Sequence, residues 1–499
     1  MKLFIKQLIA NKMIGNLNLI VLFSSALFLL NGFKLTEQNV SISKKPIQIY
    51  EKNPYYWEYM GNPILLIGGS KEDNIFNFPE GLEEHLDVLR ECGGNYIRNT
   101  MSSRKPGNLW AFKKLDNGLY DLNQWDEQYW NRFENFLKMC FVRDIIVQIE
   151  IWDPWDYYKS EAATGYGAEN TGWESCPFNP EFNINYTAEE SGLASQINYY
   201  SNKVPTAHSF FHSVPELKDL PVVRRYQERF VEKLLSVSLK YPHVLYCINN
   251  EIGEPLEWGQ YWARYIRQKA EEKGQKIFLT DMRRDGNLMS DEQLKLMHDR
   301  DHFDFFEISQ VNGNNHQRHS DMIMFVRDQL KENPLPLNNV KIYGGNIGSW
   351  TTSVEEGTRR FWRNIFAGCA SARFHREGPS EHYFGIGLSE LAQRHIRSMR
   401  MFSERIDIFS CQPSNYLLKN RESNEAYCLA ESLKQFAVYF TDDGEVDIDL
   451  SHVTGKWELQ WLDIIDSEWK EAGVIDSGAM VSLKTPEKGQ WVAVLLPKR

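Results

Sequence analysis

The sequence is poor in the features that would tie it to a metal, a nucleotide or a disulfide framework. Its seven cysteines, at 92, 140, 176, 247, 369, 411 and 428, are scattered without CxxC spacing and are odd in number. That pattern argues against a paired scaffold or a structural zinc and predicts buried thiols. No glycine-rich dinucleotide turn follows the first strand-like run, which disfavours an open nucleotide-binding sheet. His208 and His212 have helical metal-ligand spacing, but no acidic third ligand accompanies them in a recognised pattern, so no metal or other cofactor is expected. Positive charge is also in deficit. A formal net charge of -11 argues against nucleic acid as a partner, because nothing would neutralise the phosphates.

Long hydrophobic runs are absent with one exception. Lys2, Lys6 and Lys12 precede an apolar stretch from Leu17 to Leu30, broken by Asn18 and two serines. Residues 1–33 therefore resemble a secretory signal peptide. No Ala-x-Ala site is visible, so a cleaved signal and an uncleaved membrane anchor both stand, and with them a secreted or periplasmic location. No cysteine follows, so nothing suggests a lipoprotein. Membrane contact is expected only through this segment.

What is present is an ordinary globular balance, 42% hydrophobic and 25% charged over 499 residues, with ample material for a large core. Aromatics reach 13%, with 15 tryptophans. Neutral sugars stack on such rings, although large aromatics also fill cores.

After a polar linker over residues 34–47, a hairpin around Gly61-Asn62-Pro63 feeds a buried strand, and the chain then alternates helix and strand. Apolar residues at helical spacing over Gly81–Cys92 lead into NYIRNT, and those over Asp126–Val142 into DIIVQIEIWD. The same rhythm continues through HVLYCINNE, KIFLTDM, FDFFEIS, VKIYGGN and ASARFHRE, and closes with a helix over Leu388–Glu404. Eight such strands predict an α/β fold, a (β/α)8 barrel over residues 48–411. The connection from residue 154 to residue 221 has little periodicity but is too aromatic for disorder. It follows the carboxyl end of a strand and is expected to fold over the barrel mouth. From residue 412 short runs separated by turns, with a hairpin signal at Asp442-Asp443-Gly444, predict an all-β sandwich to residue 499.

Function is sought at the carboxyl ends of the strands, where such folds bind ligands. The fourth strand stops on Asn249, Asn250 and Glu251. Together with GGNYIRN on the second strand and DLNQWDEQYWNRFENFL after it, VLYCINNE resembles the clan A retaining glycoside hydrolases. With its C-terminal β-domain the chain looks like the apiosidase-like hydrolases that end in a module labelled collagen-binding. The resemblance covers residues 47–499 and implies an enzyme cleaving O-glycosidic bonds of a carbohydrate substrate. It also implies roles: Glu251 as the general acid/base, with a pKa raised by partial burial, Asn250 as the residue bonding a sugar hydroxyl, and Arg98 as the arginine that orients a nearby carboxylate.

The sequence departs from the pattern at the seventh strand, where Gly345 or Asn346 falls at the place of the glutamate nucleophile. Neither can attack an anomeric carbon. Candidates for a second carboxylate are Glu377, Glu307 and Glu150, in that order. Ser371, Arg373, His375 and Glu377 alternate with apolar residues, as do Glu307 and the set Gln148, Glu150 and Trp152. Such residues also suit a satisfied ion network inside the barrel. Trp152, Asp153, Trp155, Asp281 and His375 are further candidates for sugar contact, with one aromatic ring of the Trp152–Tyr158 motif as a stacking platform or, alternatively, these rings as core under the long loop. Carboxyls about 5 Å apart would imply retention, and about 6.5–9.5 Å inversion. The alternative reading is a barrel that binds carbohydrate without cutting it.

Overall fold

The computed structural model describes residues 45–498 apart from 104, 159–171, 198–207, 346–351 and 379. The N-terminal segment and Asn346 thus lie outside the described residues. Eight short strands alternate with eight helices: β1 (Leu66–Gly69), α1 (Leu82–Glu91), β2 (Tyr96–Thr100), α2 (Glu127–Val142), β3 (Ile146–Trp152), α3 (Pro221–Ser238), β4 (Val244–Asn249), α4 (Leu256–Glu271), β5 (Leu279–Thr280), α5 (Asp291–His298), β6 (Phe306–Glu307), α6 (His316–Gln329), β7 (Leu337–Asn338), α7 (Val354–Phe366), β8 (Ser371–Phe374) and α8 (Glu390–Arg405).

The strands pair in parallel in three groups, β2-β3-β4-β5, β6-β7 and β8-β1. Single backbone hydrogen bonds join the groups. Asn95 N–H donates to Ile67 O at 2.9 Å, Asp304 N–H to Leu279 O at 2.8 Å and Ala370 N–H to Leu337 O at 2.9 Å.

At the start of several helices a side chain satisfies a free N–H group. Asp126 caps α2 through Tyr129 N–H, Ser290 caps α5 through Gln293 N–H, and Ser353 caps α7 through Glu356 N–H. Pro221 opens α3, where the missing N–H costs nothing. The ladder on β7 covers Leu337–Asn338, earlier than the run from Val340 suggests. Beyond it hydroxyl oxygens replace strand carbonyls. Ser309 Oγ accepts from Val340 N–H at 2.8 Å and Lys341 N–H at 3.1 Å, and Ser371 Oγ accepts from Asn339 N–H at 2.8 Å. Parallel pairing resumes at a bridge between Ile342 and Phe374.

An N-terminal three-stranded ribbon over Gln48–Ile64 delivers Trp57 to the amino ends of the strands. Its indole N–H donates to Asn338 Oδ1 at 2.9 Å, and its ring meets Phe278 and Phe305 edge-on at 5.5 and 5.2 Å. Trp57 is fully buried and closes the lower end of the lumen.

The aromatic connection between β3 and α3 packs beside the carboxyl ends of β3 and β4. Tyr157, Phe178 and Phe210 gather around Trp152, while Tyr158 Oη and His212 Nε2 both bond the carboxylate of Glu254. A hairpin of Phe112–Lys114 and Tyr120–Trp125, which helical periodicity alone did not anticipate, bridges to this connection at Asn183.

The C-terminal region is sheet-rich. Six strands, in the order Gln412–Pro413, Ala426–Glu431, Gln435–Phe440, Trp491–Pro497, Lys456–Asp463 and Glu468–Asp476, form one sheet, and Leu418–Lys419, Glu445–Asp449 and Met480–Lys484 form another. One face of the larger sheet, with Cys428, Phe436, Val438, Phe440 and Trp491, shares a core with Val446, Ile448 and Leu483 of the smaller. The opposite face, with Tyr427, Tyr439, Val492 and Val494, joins the core of the barrel. There Tyr439 stacks on Trp362 of α7 at 5.6 Å. Burial on both faces explains why QFAVYF and WVAVLLP are continuous apolar runs. All seven cysteines are buried free thiols.

Truncating the lower plug tests this packing. Trp57→Ala removes a buried indole and leaves a cavity, so it is expected to cost about 3–5 kcal/mol by chemical denaturation. A loss below about 1 kcal/mol would show the lumen to be closed by other means.

Candidate active site

The lumen is filled by charges in paired layers. Nearest Trp57, Tyr96 Oη donates to Gln148 Oε1 at 2.6 Å, and Asn338 Nδ2 bonds both. Gln148 Nε2 donates to Glu307 Oε2 at 3.0 Å, and Ser309 satisfies the other Glu307 oxygen through its N–H at 3.0 Å and its hydroxyl. Burial pushes Glu307 up to about 7, while the bonds from Ser309 and Gln148 work the other way. Glu307 is therefore a structural member of the lumen below the mouth. Of the three carboxylates considered for a second catalytic role, this one has both oxygens occupied and is enclosed.

Above it, Arg98 joins two carboxylates, Nε to Glu150 Oε1 at 2.7 Å and Nη1 to Asp73 Oδ1 at 2.6 Å. Arg376 holds the other oxygen of Asp73. Burial opposes charge on Asp73, but Arg376, Arg98 and His375 keep its carboxyl well below the usual range. Glu150 is fully buried and pushed up by that burial in spite of Arg98. Arg373 donates to Val340 O at 2.6 Å and to Ser70 Oγ. Burial lowers it to about 10.

At the carboxyl end of β4 the chain turns sharply. Glu251 has φ 58°, left-handed for a residue that is not glycine, a conformation that costs about 1–2 kcal/mol. The turn aims its carboxylate at Lys341, whose ammonium is wholly buried and bonds Glu251 Oε1 and, at 2.8 Å, Asn250 Oδ1. Tyr343 Oη and Gln310 Nε2 reach the same oxygen at 3.4 and 3.1 Å. Asn250 Nδ2 in turn donates to Asp153 Oδ1 at 3.0 Å. Burial alone would raise Glu251, but Lys341, with Arg98 and His375 further off, brings it down to about 2. The expected raised pKa of a proton donor is thus overturned: Glu251 stands as a carboxylate, with its side chain 14% exposed. His375 lies over the Tyr343 ring at 4.2 Å and points Nδ1 at Asp73, 3.7 Å away. Burial holds its imidazole neutral.

The structure thus brings Arg98, Glu150, Asn250, Glu251 and His375 into one cluster, and adds Asp73, Lys341 and Tyr343, which the sequence reading passed over. Lys341 and Tyr343 carried a signal: they alternate with Val340 and Ile342 just as Arg373 and His375 alternate with Ala372 and Phe374. Asp73 carried none, since it lies in an acidic loop beyond β1.

Other candidates fall elsewhere. Trp152 is fully buried against Phe230, Trp258 and Trp262 of α3 and α4, so it is a core residue and no sugar platform. Asp281 is likewise turned away from the lumen. Its carboxylate accepts from Asn249 Nδ2 at 2.7 Å and abuts Gly259 of α4. Trp155 is partly exposed beneath the Arg284 guanidinium at 5.8 Å, and Asp153 caps its turn. Glu377, half-buried past β8, has Lys71 and His382 as its charged neighbours and contacts Gly387. Asn346 lies outside the described residues.

No family model matches the chain, and no curated protein matches it in sequence. Its fold is nonetheless similar to solved glycoside hydrolases. A family 5 glycoside hydrolase from Bacteroides vulgatus superposes with a TM-score of 0.61 at 12% identity, over 91% of this chain and 93% of that one. A second structure, described as a glycoside hydrolase, gives 0.60 at 11% identity over 91% and 97%. A family 5 mannosidase from Rhizomucor miehei gives 0.50 at 10% over 73% and 98%. At these identities the likeness is one of fold, the mixed α/β fold of family 5 TIM-barrel enzymes.

Removing the buried cation tests the electrostatics. Lys341→Met strands the Glu251 carboxylate and is expected to cost about 3–5 kcal/mol at neutral pH. In the parent, a carboxyl lowered from 4.5 to about 2 contributes stability that is complete above pH 4.5 and lost as pH falls toward 2. The gap between parent and variant should therefore narrow over that window. Adding Glu251→Gln to Lys341→Met should recover most of the loss, and a double variant as unstable as the sum of the singles would refute the pairing.

Proposed function

We propose that this chain is a glycoside hydrolase that cleaves O-glycosidic bonds of an oligosaccharide or polysaccharide in the mouth of a closed (β/α)8 barrel. The observation that carries the reading is Glu251: a strained, partly open carboxylate at the carboxyl end of β4, next to Asn250 and backed by a buried lysine. The likeness in fold to family 5 glycoside hydrolases supports it. In this reading Asn250, Asp153, Trp155 and His375 line the sugar site, and the apiosidase-like resemblance narrows the family. Residues 1–33 direct the chain out of the cytoplasm, residues 48–411 form the barrel, and residues 412–499 form a β-sandwich domain.

Because Lys341 keeps Glu251 ionised, Glu251 begins the reaction as a base; proton donation comes only after it has taken a proton. The same observation favours a second reading, a barrel that holds carbohydrate without cutting it, since a permanently ionised Glu251 cannot protonate a leaving oxygen.

Hydrolysis of a panel of plant and microbial glycans separates the two. The parent protein should release sugar, and Glu251→Gln should lower kcat/KM by about 10²–10⁴-fold. Unchanged activity in Glu251→Gln would refute the assignment, and glycan retention without release would favour the binding reading. The pH profile adds a sign. A base with a pKa of about 2 is active above that value, so the parent should show no acidic limb from Glu251 between pH 4 and 6, the ordinary carboxylate window, whereas Lys341→Met should acquire one.

A further inference from the structure

Past β7 the packing closes Gly345, one of the two positions where the resemblance expects the glutamate, and Gly344 before it. A side chain on Gly344 would begin 2.3 Å from the Gly357 Cα of α7, and one on Gly345 would begin 2.4 Å from the Tyr383 carbonyl oxygen. Those distances leave no room for a glutamate at either position. The last lumen-facing residue before them is Tyr343, and its hydroxyl points at the Glu251 carboxylate from 3.4 Å. Its ring is gripped by the face of His375 at 4.2 Å and its backbone N–H is tied to Asn312 Oδ1 at 3.1 Å. A phenol fixed beside an ionised carboxylate is a nucleophile beside its base.

We propose that Tyr343 is the catalytic nucleophile of this protein and that Glu251 is the base that activates it. The proposal rests on the glycosidase reading and supplies its missing second group. In the first half-reaction Tyr343 Oη forms a bond to the anomeric carbon while its proton moves to Glu251. The glycosidic C–O bond breaks, its electron pair stays on the departing oxygen, and a proton from solvent completes the released alcohol. In the second, water attacks the anomeric carbon and the electron pair of the tyrosyl ether returns to Oη, which recovers its proton from Glu251. The second proton of the water is lost to solvent. The sum is hydrolysis, with no oxidant or metal consumed. Two displacements at one carbon give net retention. Lys341 is a positioning residue here, fixing the Glu251 carboxylate beside the phenol. A phenolate also leaves more readily than an alkoxide, so the second step is the easier one.

The test uses the full chain, aryl glycosides of several sugars, and the matching 2-deoxy-2-fluoroglycosyl fluorides as trapping reagents. For a sugar whose aryl glycoside is hydrolysed, the expected result is a single glycosyl adduct by intact mass, mapped to the peptide carrying Tyr343 and absent from Tyr343→Phe. Tyr343→Phe should keep the parent's circular dichroism and lose about 10³-fold or more in kcat. The first product seen by proton NMR should retain its anomeric configuration. An adduct on Glu150 or Glu377, no adduct with a sugar that is turned over, an inverted first product, or an unchanged kcat in Tyr343→Phe would each overturn the tyrosine while leaving the glycosidase standing. No hydrolysis of any aryl glycoside or glycan would overturn both.

Discussion

Lys341 Nζ is sealed between Asn250 Oδ1 and the Glu251 carboxylate with no exposure to solvent, and the electrostatics of the lumen follow from that enclosure. An ammonium so buried must be paired, because desolvation alone would cost several kcal/mol. Pairing it with Glu251 fixes three things together: the ionisation of a partly open carboxylate, the orientation of Asn250, and the direction of the strained turn after β4. The neighbouring layer follows the same rule, with Arg98 shared by Glu150 and Asp73 and Asp73 shared in turn with Arg376. Each cation holds a carboxylate that another element supplies. The network therefore links the segments that follow β1, β4, β7 and β8 with Arg98 of β2 and Glu150 of β3.

Much of this was legible in the sequence, and the limits have physical causes. Period-3.6 and period-2 patterning located the eight alternating helices and seven of the strands between them, the seventh strand being read a few residues late, because each helix buries one face and each strand two. Arg98 and Asn250 followed from the clan A resemblance. Trp152 was misplaced by alternation. It shares parity with Gln148 and Glu150, yet it stands at the last ladder position of β3, where strand twist turns it onto α3 and α4. Asp281 failed for the same reason at the end of β5. Alternation thus predicts facing only while the ladder lasts.

Lys341 shows the opposite limit. Lys341, five residues before Asn346, sets the site's charge. A lysine between Val340 and Ile342 on a strand buried on both faces has only the lumen to occupy, so its presence there already required a carboxylate partner. Glu251 was the available carboxylate at the same height. That inference needed no structure, only the rule that buried charges are paired.

The free energy held in this arrangement bears on function. An apolar lumen of equal volume would be no less stable, since replacing buried ion pairs by packed hydrophobic residues is often neutral or favourable. A purely structural pair would also be sealed at both ends, and it would not need a left-handed glutamate. Here one partner is enclosed and the other is left open at the mouth on strained backbone, the combination expected where strain and shifted ionisation serve a reacting group. The carboxylate so held is ionised at neutral pH. Within reach of it stands the phenol of Tyr343, just before Gly344 and Gly345, where the packing leaves no room for a glutamate side chain.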